Sequence, residues 1–393
     1  MKLDISRMEK SSPIEIDSVA ASIVRTQKAS GEIPWSEGGK TDPWDHVEAA
    51  MGLSIGGYFK QARSAFEWLA GTQLKDGSWW ASYRDGIPED TTKDANMASY
   101  IAVGVFHYYL ITDDVSFLEE MWPTVKSAIE YAIALQAPSG EIYWARNREG
   151  IIDPMALLTG SSSIYMSIKC ALEIASRLGI SMPGWNASLK RLGDAIRHRP
   201  SLFNISKSRY SMDWYYPVLC GAITGIDAQK RIDKSWNKFV VEGLGIRCVS
   251  DQPWITIAET SELTMALAAM GNFKEAEVVF SWIQDKKYDD GSYWCGLTFP
   301  DMVIWTEEKL TWTAGAVLLA ADMLNDITTA SQLFSHGFWN SHELLHPIHT
   351  KGIYYDKYPL RVSKNSDVTH PVMGLNPGEP NPASVEEPGS EEY

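Results

Sequence analysis

Apolar residues recur along this chain in a repeating pattern of paired helix-like runs. Six apolar runs each open with polar or aromatic residues in the first turn, and each follows another amphipathic stretch. The openings are spaced 52, 67, 52, 46 and 52 residues apart, and their first residues are Asp42, Asp94, Ser161, Asp213, Glu259 and Thr311. Repeats of this length are typical of helix pairs that bury their apolar faces only by stacking on neighbours. The pattern predicts an all-α fold, an (α/α)6 toroid of six helical hairpins.

Two kinds of helix alternate in this prediction. The outer helices are amphipathic, with apolar residues at three- and four-residue intervals. They are predicted at 16–28, 58–72, 117–136, 185–198, 228–241 and 273–284. The inner runs are apolar nearly all round and rich in Ala and Gly, which predicts buried helices whose backbones approach closely. Five of them lie at 47–55, 97–110, 164–175, 263–270 and 314–324.

A short motif recurs between outer and inner helices: a glutamine, then a glycine turn, then a strand-like triplet with an aromatic residue. Clear copies begin at Gln27, Gln73, Gln136 and Gln284. Glycine supplies the positive φ that a chain adopts as it leaves a helix, and the triplet can pair back on itself. We therefore expect short β-hairpins in the loops.

The repeat ends near residue 325. Beyond it the sequence changes to short mixed segments, and the last stretch is rich in Pro, Gly and Glu. We expect a toroidal catalytic domain at 1–325, an extension at 326–370 packed on the toroid, and a disordered tail at 371–393.

Charge and composition narrow the class of partner. The chain has 393 residues, of which 45% are hydrophobic and 22% are charged, and its net charge is −15. Nucleic acid and anionic membranes would require a basic face, so neither is expected as the main partner. The polar start, 1–16, lacks the apolar core of a secretion signal, and no run reaches the roughly 18 apolar residues of a membrane span. A cytoplasmic location is expected, with oligomeric state left open.

Cysteine and histidine spacing does not suggest a metal site. Cys170, Cys220, Cys248 and Cys295 are scattered without a C-x-x-C pair, so we interpret them as buried free thiols. The late histidines, His336, His342, His346 and His349, lack the spacing of a zinc motif. No metal or other cofactor is predicted.

The first turns of the inner helices carry the candidate chemistry. In a ring of helices these turns surround one end of the central space, so acids far apart in sequence meet there. Asp42 and Asp45 open one inner helix, and Glu259 and Glu262 open another. Paired carboxyls across a cleft are the requirement of glycosidic-bond hydrolysis. We assign Asp45, assisted by Asp42, as general base, and Glu259 or Glu262 as general acid.

Helix capping is the competing interpretation of these acids. Asp42 precedes Pro43, and an Asp–Pro pair is a strong helix start. An acid at the position of Asp45 also interacts favourably with the positive end of the helix dipole. Glu259 lies three residues after Thr256, as in a capping box. Glu262 is harder to explain by capping, because it falls inside an apolar helix, where an unpaired charge costs several kcal/mol.

Aromatic residues predict a sugar-binding surface. The chain has 16 Trp and 17 Tyr, many beside Gly, Asp or Asn, and the C–H faces of sugars pack on such rings. The aromatic candidates are Trp35, Trp44, Trp79, Trp80, Tyr83, Trp144, Tyr165, Trp214, Tyr215, Trp254, Trp305 and Trp312. The polar candidates are His46, Asp94, Asn96, Arg146, Asp213 and Glu307. Individually most tryptophans are core residues, so the indication comes from the set.

With these residues in view, the chain resembles the six-hairpin glycosidases, and among them the mycobacterial methylmannose polysaccharide hydrolase group. The matching stretches are 33–35, 42–51, 100–104, 121–125, 212–217 and 258–260, within about residues 27–325. The resemblance implies an inverting hydrolase that acts on internal α-linkages of a mannose-containing polysaccharide. It places the catalytic pair within the Asp42/Asp45 and Glu259/Glu262 stretches.

Three other interpretations compete with this one. Terpenoid cyclases and prenyltransferases share a helical toroid and a Q-x-x-D-G-S-W motif like the one from Gln73 to Trp79. Their chemistry does not follow, because the chain has no D-x-D-D run and no assembled Asp, Cys and His zinc set. Other carbohydrate chemistry, such as phosphorolysis, epimerisation or lyase action, and a non-catalytic sugar-binding toroid remain alternatives.

Overall fold

A computed structural model of the chain describes residues 14–341, and these residues are mostly helical. The helices in chain order are α1 (Ile16–Thr26), α2 (Pro43–Ile55), α3 (Phe59–Thr72), α4 (Ala95–Ser99), α5 (Ile101–Thr112), α6 (Val115–Ile133), α7 (Leu158–Arg177), α8 (Pro183–His198), α9 (Ser211–Leu219), α10 (Gly225–Phe239), α11 (Ile257–Ala269), α12 (Phe273–Ser281), α13 (Thr311–Asn325) and α14 (His336–Ser341). Two 3₁₀ helices, Pro200–Leu202 and Ile205–Arg209, precede α9. The predicted helices are confirmed to within a few residues, except that a turn at Tyr100 divides 97–110 into α4 and α5.

Short strands occupy the loops that lead into the inner helices. They are β1 (Ser82–Arg84), β2 (Ile87–Asp90), β3 (Lys93–Asp94), β4 (Ala145–Arg146), β5 (Ile152–Asp153), β6 (Val240–Val241), β7 (Gly245–Arg247), β8 (Trp254–Thr256) and β9 (Gly296–Thr298). All of these strands pair antiparallel, as β1–β2, β3–β4–β5 and β6–β7–β8–β9. The loops therefore contain the small β-hairpins that the sequence predicts.

Six inner elements pack side by side in a closed circuit. The helix α2 contacts α5, α5 contacts α7, and the series continues through α9, α11 and α13, which returns to α2. Small residues allow this closure: a Cβ on Gly315 of α13 would lie 2.6 Å from the Glu48 carbonyl oxygen of α2. The outer helices α3, α6, α8, α10 and α12 cover the inner helices, and α1 closes the gap against α2 and α13. The result is a helical toroid.

In three of its four copies the recurring glutamine–glycine motif clamps a repeat to the next outer helix. The Gln73 side-chain amide donates to the carbonyls of Gly77 and of Thr124 in α6, both at 3.0 Å. Gln27 and Gln136 make the same pair of bonds in their own repeats. A Cβ on Gly77, whose φ is +91°, would lie 2.1 Å from the Ser127 carbonyl oxygen, so only glycine fits. The motif that resembles prenyltransferases therefore has a packing role in this fold.

The segment after α13 packs against the end of the toroid opposite the loops. Trp339 of α14 lies 6.4 Å from the Phe106 ring and 4.1 Å below the Lys169 ammonium group. His336 donates from Nε2 to the Val218 carbonyl at 2.7 Å. The predicted tail at 371–393, most of the predicted extension and the other late histidines lie outside the described residues. No helix within 14–341 is long and apolar enough to cross a membrane.

Candidate active site

Asp42 caps α2 with one carboxylate oxygen and binds the Trp35 indole with the other. Its Oδ1 accepts from the backbone N–H groups of Trp44 and Asp45 at 2.8 and 2.9 Å, and its Oδ2 accepts from the Trp35 indole at 2.5 Å. The side chain is 3% exposed. This geometry favours the capping interpretation for Asp42, which fixes the start of α2 and the orientation of Trp35.

Asp45 and Glu48 project from the same side of α2, because residues three apart lie on one helix face. Asp45 is half-buried, whereas Glu48 is 5% exposed and accepts a hydrogen bond from the Tyr100 hydroxyl at 3.3 Å. Burial and the nearby charge of Asp42 hold the pKa of Asp45 well above its ordinary value. Burial raises the pKa of Glu48 to about 8, although the Tyr100 hydrogen bond opposes the rise. Sequence reasoning left Glu48 out of the candidate site, although a glutamate in an apolar inner helix was a usable signal.

Glu259 and Glu262 enter the same region from α11, and each is 6% exposed. Glu262 Oε2 accepts a hydrogen bond from the Tyr215 hydroxyl of α9. Burial and the charge of Glu48 hold the pKa of Glu262 well above its ordinary value. Glu259 differs, because its Oε2 is buried without a hydrogen-bond partner in the protein. The structure therefore brings the two predicted acidic stretches together.

These five carboxyls form what we call the acid cluster: Asp42, Asp45, Glu48, Glu259 and Glu262. Among the described residues, no ion pair involves any of them. Within 14–341 there is also no group of three or more His, Cys, Asp or Glu side chains placed to hold a metal ion. Close carboxyls without a compensating cation cannot all ionise, so the cluster must retain protons near neutral pH.

A small cavity lies beneath the acid cluster and has room for about one water molecule. Glu48 and Glu262 line it together with the rings of Tyr100 and Tyr216, and Phe334 closes it from the segment after α13. Trp44 packs edge-on against Tyr100 and Tyr216, with ring centroids 5.7 Å apart in both pairs. Trp44 therefore lies at the centre of the ring, above this cavity.

Five of the predicted sugar contacts end in buried polar atoms without a protein partner. They are Trp44 Nε1, Asn96 Oδ1, Trp144 Nε1, Arg146 Nε and Trp312 Nε1. Buried polar atoms in proteins are nearly always hydrogen-bonded, so these atoms indicate positions that water or a ligand completes. The three tryptophans are half-buried, and all five residues belong to first turns of inner elements or to the loops that lead into them. The hydroxyls of Ser161, Ser163 and Thr313 are also unpartnered, and sequence reasoning did not include them.

The loops before α11 and α13 carry an aromatic pair. The Trp254 indole N–H donates to the Trp305 carbonyl at 2.6 Å, and the two rings meet edge-on with centroids 5.0 Å apart. Trp305 is 51% exposed, and Glu307 is exposed close behind it. Because β8 continues directly into α11, this pair lies on the same side of the ring as the acid cluster.

The remaining half-buried candidates surround the starts of α2 and α4. Asp94 caps α4 through the backbone N–H groups of Asn96 and Met97, and burial raises the pKa of Asp94 to about 6. Trp35 lies 4.4 Å from the Lys40 ammonium group, and Trp80 lies 5.5 Å from that of Lys93.

The structure places several predicted sugar contacts in the protein interior, and these predictions need correction. His46 is 1% exposed, and its two ring nitrogens bond the Ile33 N–H and the Ala65 carbonyl at 3.1 and 2.9 Å. Burial lowers the pKa of His46 to about 4, so the ring is neutral. The Trp79 indole donates to the Leu69 carbonyl at 2.9 Å, and Tyr83 is 3% exposed. None of these side chains has a face free for a sugar.

Three further candidates serve helix packing. The Trp214 ring stacks on Phe239 of α10 with a centroid distance of 5.2 Å. Tyr165 points outward to α8, where it would contact a Cβ on Gly193. Asp213 accepts from the Thr159 backbone and hydroxyl at 3.2 and 2.7 Å and so joins α9 to α7.

Tyr215 and Arg146 have different surroundings from those expected. Tyr215 is fully buried, so it orients Glu262 rather than packing on a sugar face. The Arg146 guanidinium lies 5.5 Å from the Tyr131 ring of α6. Periodicity could not distinguish sugar contact from packing within the protein, because it predicts the face of a helix on which a residue lies but not what that face contacts.

Solved structures with this architecture act on carbohydrates. A GH63 mannosylglycerate hydrolase from Thermus thermophilus, solved in complex with glucose, aligns with a TM-score of 0.62 at 10% identity, covering 77% of this chain and 99% of that one. A glycosidase aligns with a TM-score of 0.59 at 16% identity, covering 79% and 96%. A D-mannose isomerase aligns with a TM-score of 0.61 at 10% identity, covering 78% and 95%. At these identities the likeness establishes the fold, a helical toroid of the glycosidase type, and leaves the chemistry to the site.

A curated relative supplies the family. The chain is 48% identical over 322 residues, 82% of this chain and 89% of the relative, to an MMP endo-(1,4)-3-O-methyl-alpha-D-mannosidase from Mycolicibacterium hassiacum. No family model matches the chain. The chain belongs to the family of this mannosidase, and it is a glycoside hydrolase.

Proposed function

We propose that this glycoside hydrolase cleaves internal α-linkages of a mannose-containing polysaccharide, with 3-O-methylated, 1,4-linked mannan as the first substrate to test. The activity of the 48% identical relative supports the substrate class. We also propose that the helical toroid is an (α/α)6 toroid, because the inner helices close the circuit from α13 to α2. The half-buried tryptophans around the ring mouth provide apolar surfaces for sugar rings and O-methyl groups.

The acid cluster is the observation that carries the proposed chemistry. Hydrolysis needs one carboxyl that keeps its proton and one that accepts a proton from water. Glu262 suits the acid, because burial and the charge of Glu48 hold its pKa well above the ordinary value and Tyr215 fixes its orientation. Asp45 suits the base, because it is half-buried, whereas the other four acids of the cluster are buried.

The two residues define a balanced reaction. Glu262 donates its proton to the leaving glycosidic oxygen while Asp45 takes a proton from the water that attacks the anomeric carbon. The products are two shorter chains, and one passage of a proton from Asp45 back to Glu262 restores the enzyme. We propose inversion at the anomeric carbon, in line with the six-hairpin resemblance.

Glu259 is the second candidate for the acid. Its Oε2 is buried without a hydrogen-bond partner, so it has an oxygen free for a substrate hydroxyl or for the attacking water. Both roles are compatible with its place on α11, one turn before Glu262.

The test is hydrolysis of 3-O-methylated α-1,4-mannan by purified wild type and three variants, Asp45→Asn, Glu262→Gln and Glu259→Gln. We expect the first two to lose about 10²–10⁴-fold in kcat, the usual contribution of a general acid or base. Glu277→Gln, at an exposed position on α12, is the matched control and should keep full activity. Proton NMR of the first-formed product gives its anomeric configuration. Full activity of Asp45→Asn and Glu262→Gln would refute the pair, and activity lost only in Glu259→Gln would transfer the acid role.

A further inference from the structure

Glu48 is a buried acid that the two-carboxyl mechanism does not use. It lies three residues after Asp45 on α2 and shares the small cavity with Glu262 of α11. Its carboxyl is 5% exposed, and the Tyr100 hydroxyl is the hydrogen-bond donor recorded for it, at a long 3.3 Å. A glutamate in such a place costs stability unless it has a function, because leucine would fill the space without desolvating a carboxyl.

We propose that Glu48 is a positioning residue for the general acid: it lines the same cavity as Glu262 and, when ionised, keeps the proton on Glu262. This inference rests on the proposed function, because it takes Glu262 as the acid. A carboxylate raises the pKa of a neighbouring acid, because ionisation of that acid would place two negative charges at short range. The effect is strong in this cavity, because the cavity has room for about one water molecule, which screens charges poorly.

The surroundings of the two groups make Glu48 the main control of Glu262. The titratable groups that face them are Asp42, Asp45 and Glu259, the hydroxyls of Tyr100, Tyr215 and Tyr216, and the Cys220 thiol, which also interacts with Lys169 of α7. The helix α13 contributes only the apolar side chains of Ala316 and Leu319 to the cavity. Glu48 exerts the largest charge effect that raises the pKa of Glu262, and hydrogen bonds from Tyr215 and Tyr216 oppose the rise.

The Glu48 carboxylate should move only one limb of the pH profile. Burial raises the pKa of Glu48 to about 8, so Glu48 carries no charge on the acidic side of the profile. A bell-shaped profile reports the base on its acidic limb and the acid on its alkaline limb. Replacing Glu48 by glutamine should therefore move the alkaline limb to lower pH and leave the acidic limb in place. A residue that only supports the fold would lower the profile without moving its limbs.

The test is the pH dependence of kcat/KM from pH 4 to 10 on 3-O-methylated α-1,4-mannan, for wild type, Glu48→Gln and Glu48→Asp. We expect Glu48→Gln to stay within about threefold of wild type on the acidic side and to lose about tenfold or more on the alkaline side, which corresponds to a limb moved by one pH unit. Glu48→Asp keeps the charge and should restore most of the alkaline limb. Urea unfolding of each variant at pH 6 establishes that it is folded.

Two outcomes overturn the inference, and they differ from failure of the proposed function. If Glu262→Gln is inactive but the Glu48→Gln limbs coincide with those of wild type, Glu48 does not control the acid. If both Glu48 variants lose activity equally at every pH, the role is structural. If Glu262→Gln is fully active, the acid assignment itself fails, and the inference fails with it.

Discussion

Replacing Glu48 by glutamine should make the folded protein more stable at alkaline pH. The Glu48 carboxyl has an ordinary pKa of 4.5, and burial raises this pKa to about 8 in the folded protein. The folded state therefore holds the proton more tightly than the unfolded chain does. The resulting stability is fully present below pH 4.5 and is lost as pH rises through about 8. Glutamine keeps the shape and never ionises, so the variant lacks this loss.

The size of the effect follows from the shift. A rise of this size corresponds to an upper limit of roughly 5 kcal/mol, because each pKa unit is worth about 1.4 kcal/mol. Asp45 and Glu262 share the same protons, which reduces the share that belongs to Glu48. We expect the difference in unfolding free energy between Glu48→Gln and wild type to grow by about 2–4 kcal/mol between pH 5 and pH 8.

Urea unfolding followed by tryptophan fluorescence measures this difference, because the chain has 16 Trp. The control is Glu277→Gln, which removes an exposed glutamate from α12 and should leave the difference flat across the same pH range. A constant difference between Glu48→Gln and wild type from pH 5 to pH 8 would contradict the reasoning. It would mean that the carboxyl reaches water in the folded state or has a cationic partner.

Two other predictions concern packing away from the acid cluster. Gly77→Ala should destabilise the fold by about 2 kcal/mol more than Gly86→Ala. Both glycines have positive φ, but only Gly77 lies against a backbone carbonyl, that of Ser127, so the added methyl group would break the two clamp hydrogen bonds. Equal urea midpoints of the two variants would count against the clamp. Burial lowers the pKa of Lys169 to about 7, so between about pH 7 and 10.5 the unfolded chain binds this proton more tightly than the folded protein does. The stability of wild type should therefore rise with pH in that range, and Lys169→Met should abolish the rise. Unfolding curves at pH 7 and pH 9.5 check it, and an unchanged slope would show that the amine is hydrated.

The scaffold was predictable because its signals are local and repeated. The spacing of apolar runs placed nearly every helix, and the run of Ala and Gly in the inner helices anticipated the contact between Gly315 and the Glu48 backbone. Capping of α2 by Asp42 was also readable, since an Asp–Pro pair is a strong helix start. Each of these features depends on a few consecutive residues and on a fold-wide period.

The site was harder to predict, because its contacts join different repeats. Sequence alignment of the repeats identified the first turns of α2 and α11, but it could not show that His46 bonds the backbone of two other segments. It also gave Trp79 the same weight as Trp44, although one indole lies in the core and the other stands over the central cavity. The direction in which a side chain leaves its helix follows from the helical period, whereas the residues that it contacts depend on how the ring closes.

The acid cluster shows what the closed ring contributes to chemistry. Carboxyls gathered without a cation destabilise a fold, so a scaffold that holds them must gain stability elsewhere. Here the clamps of Gln27, Gln73 and Gln136 and the close backbone contact of α2 with α13 do not depend on protonation of the acids. The same clamps can therefore occur in toroids with other chemistry, because they stabilise the ring whatever the mouth contains. In this chain the mouth carries the acid cluster, and the proposed hydrolysis depends on one of its carboxyls keeping a proton.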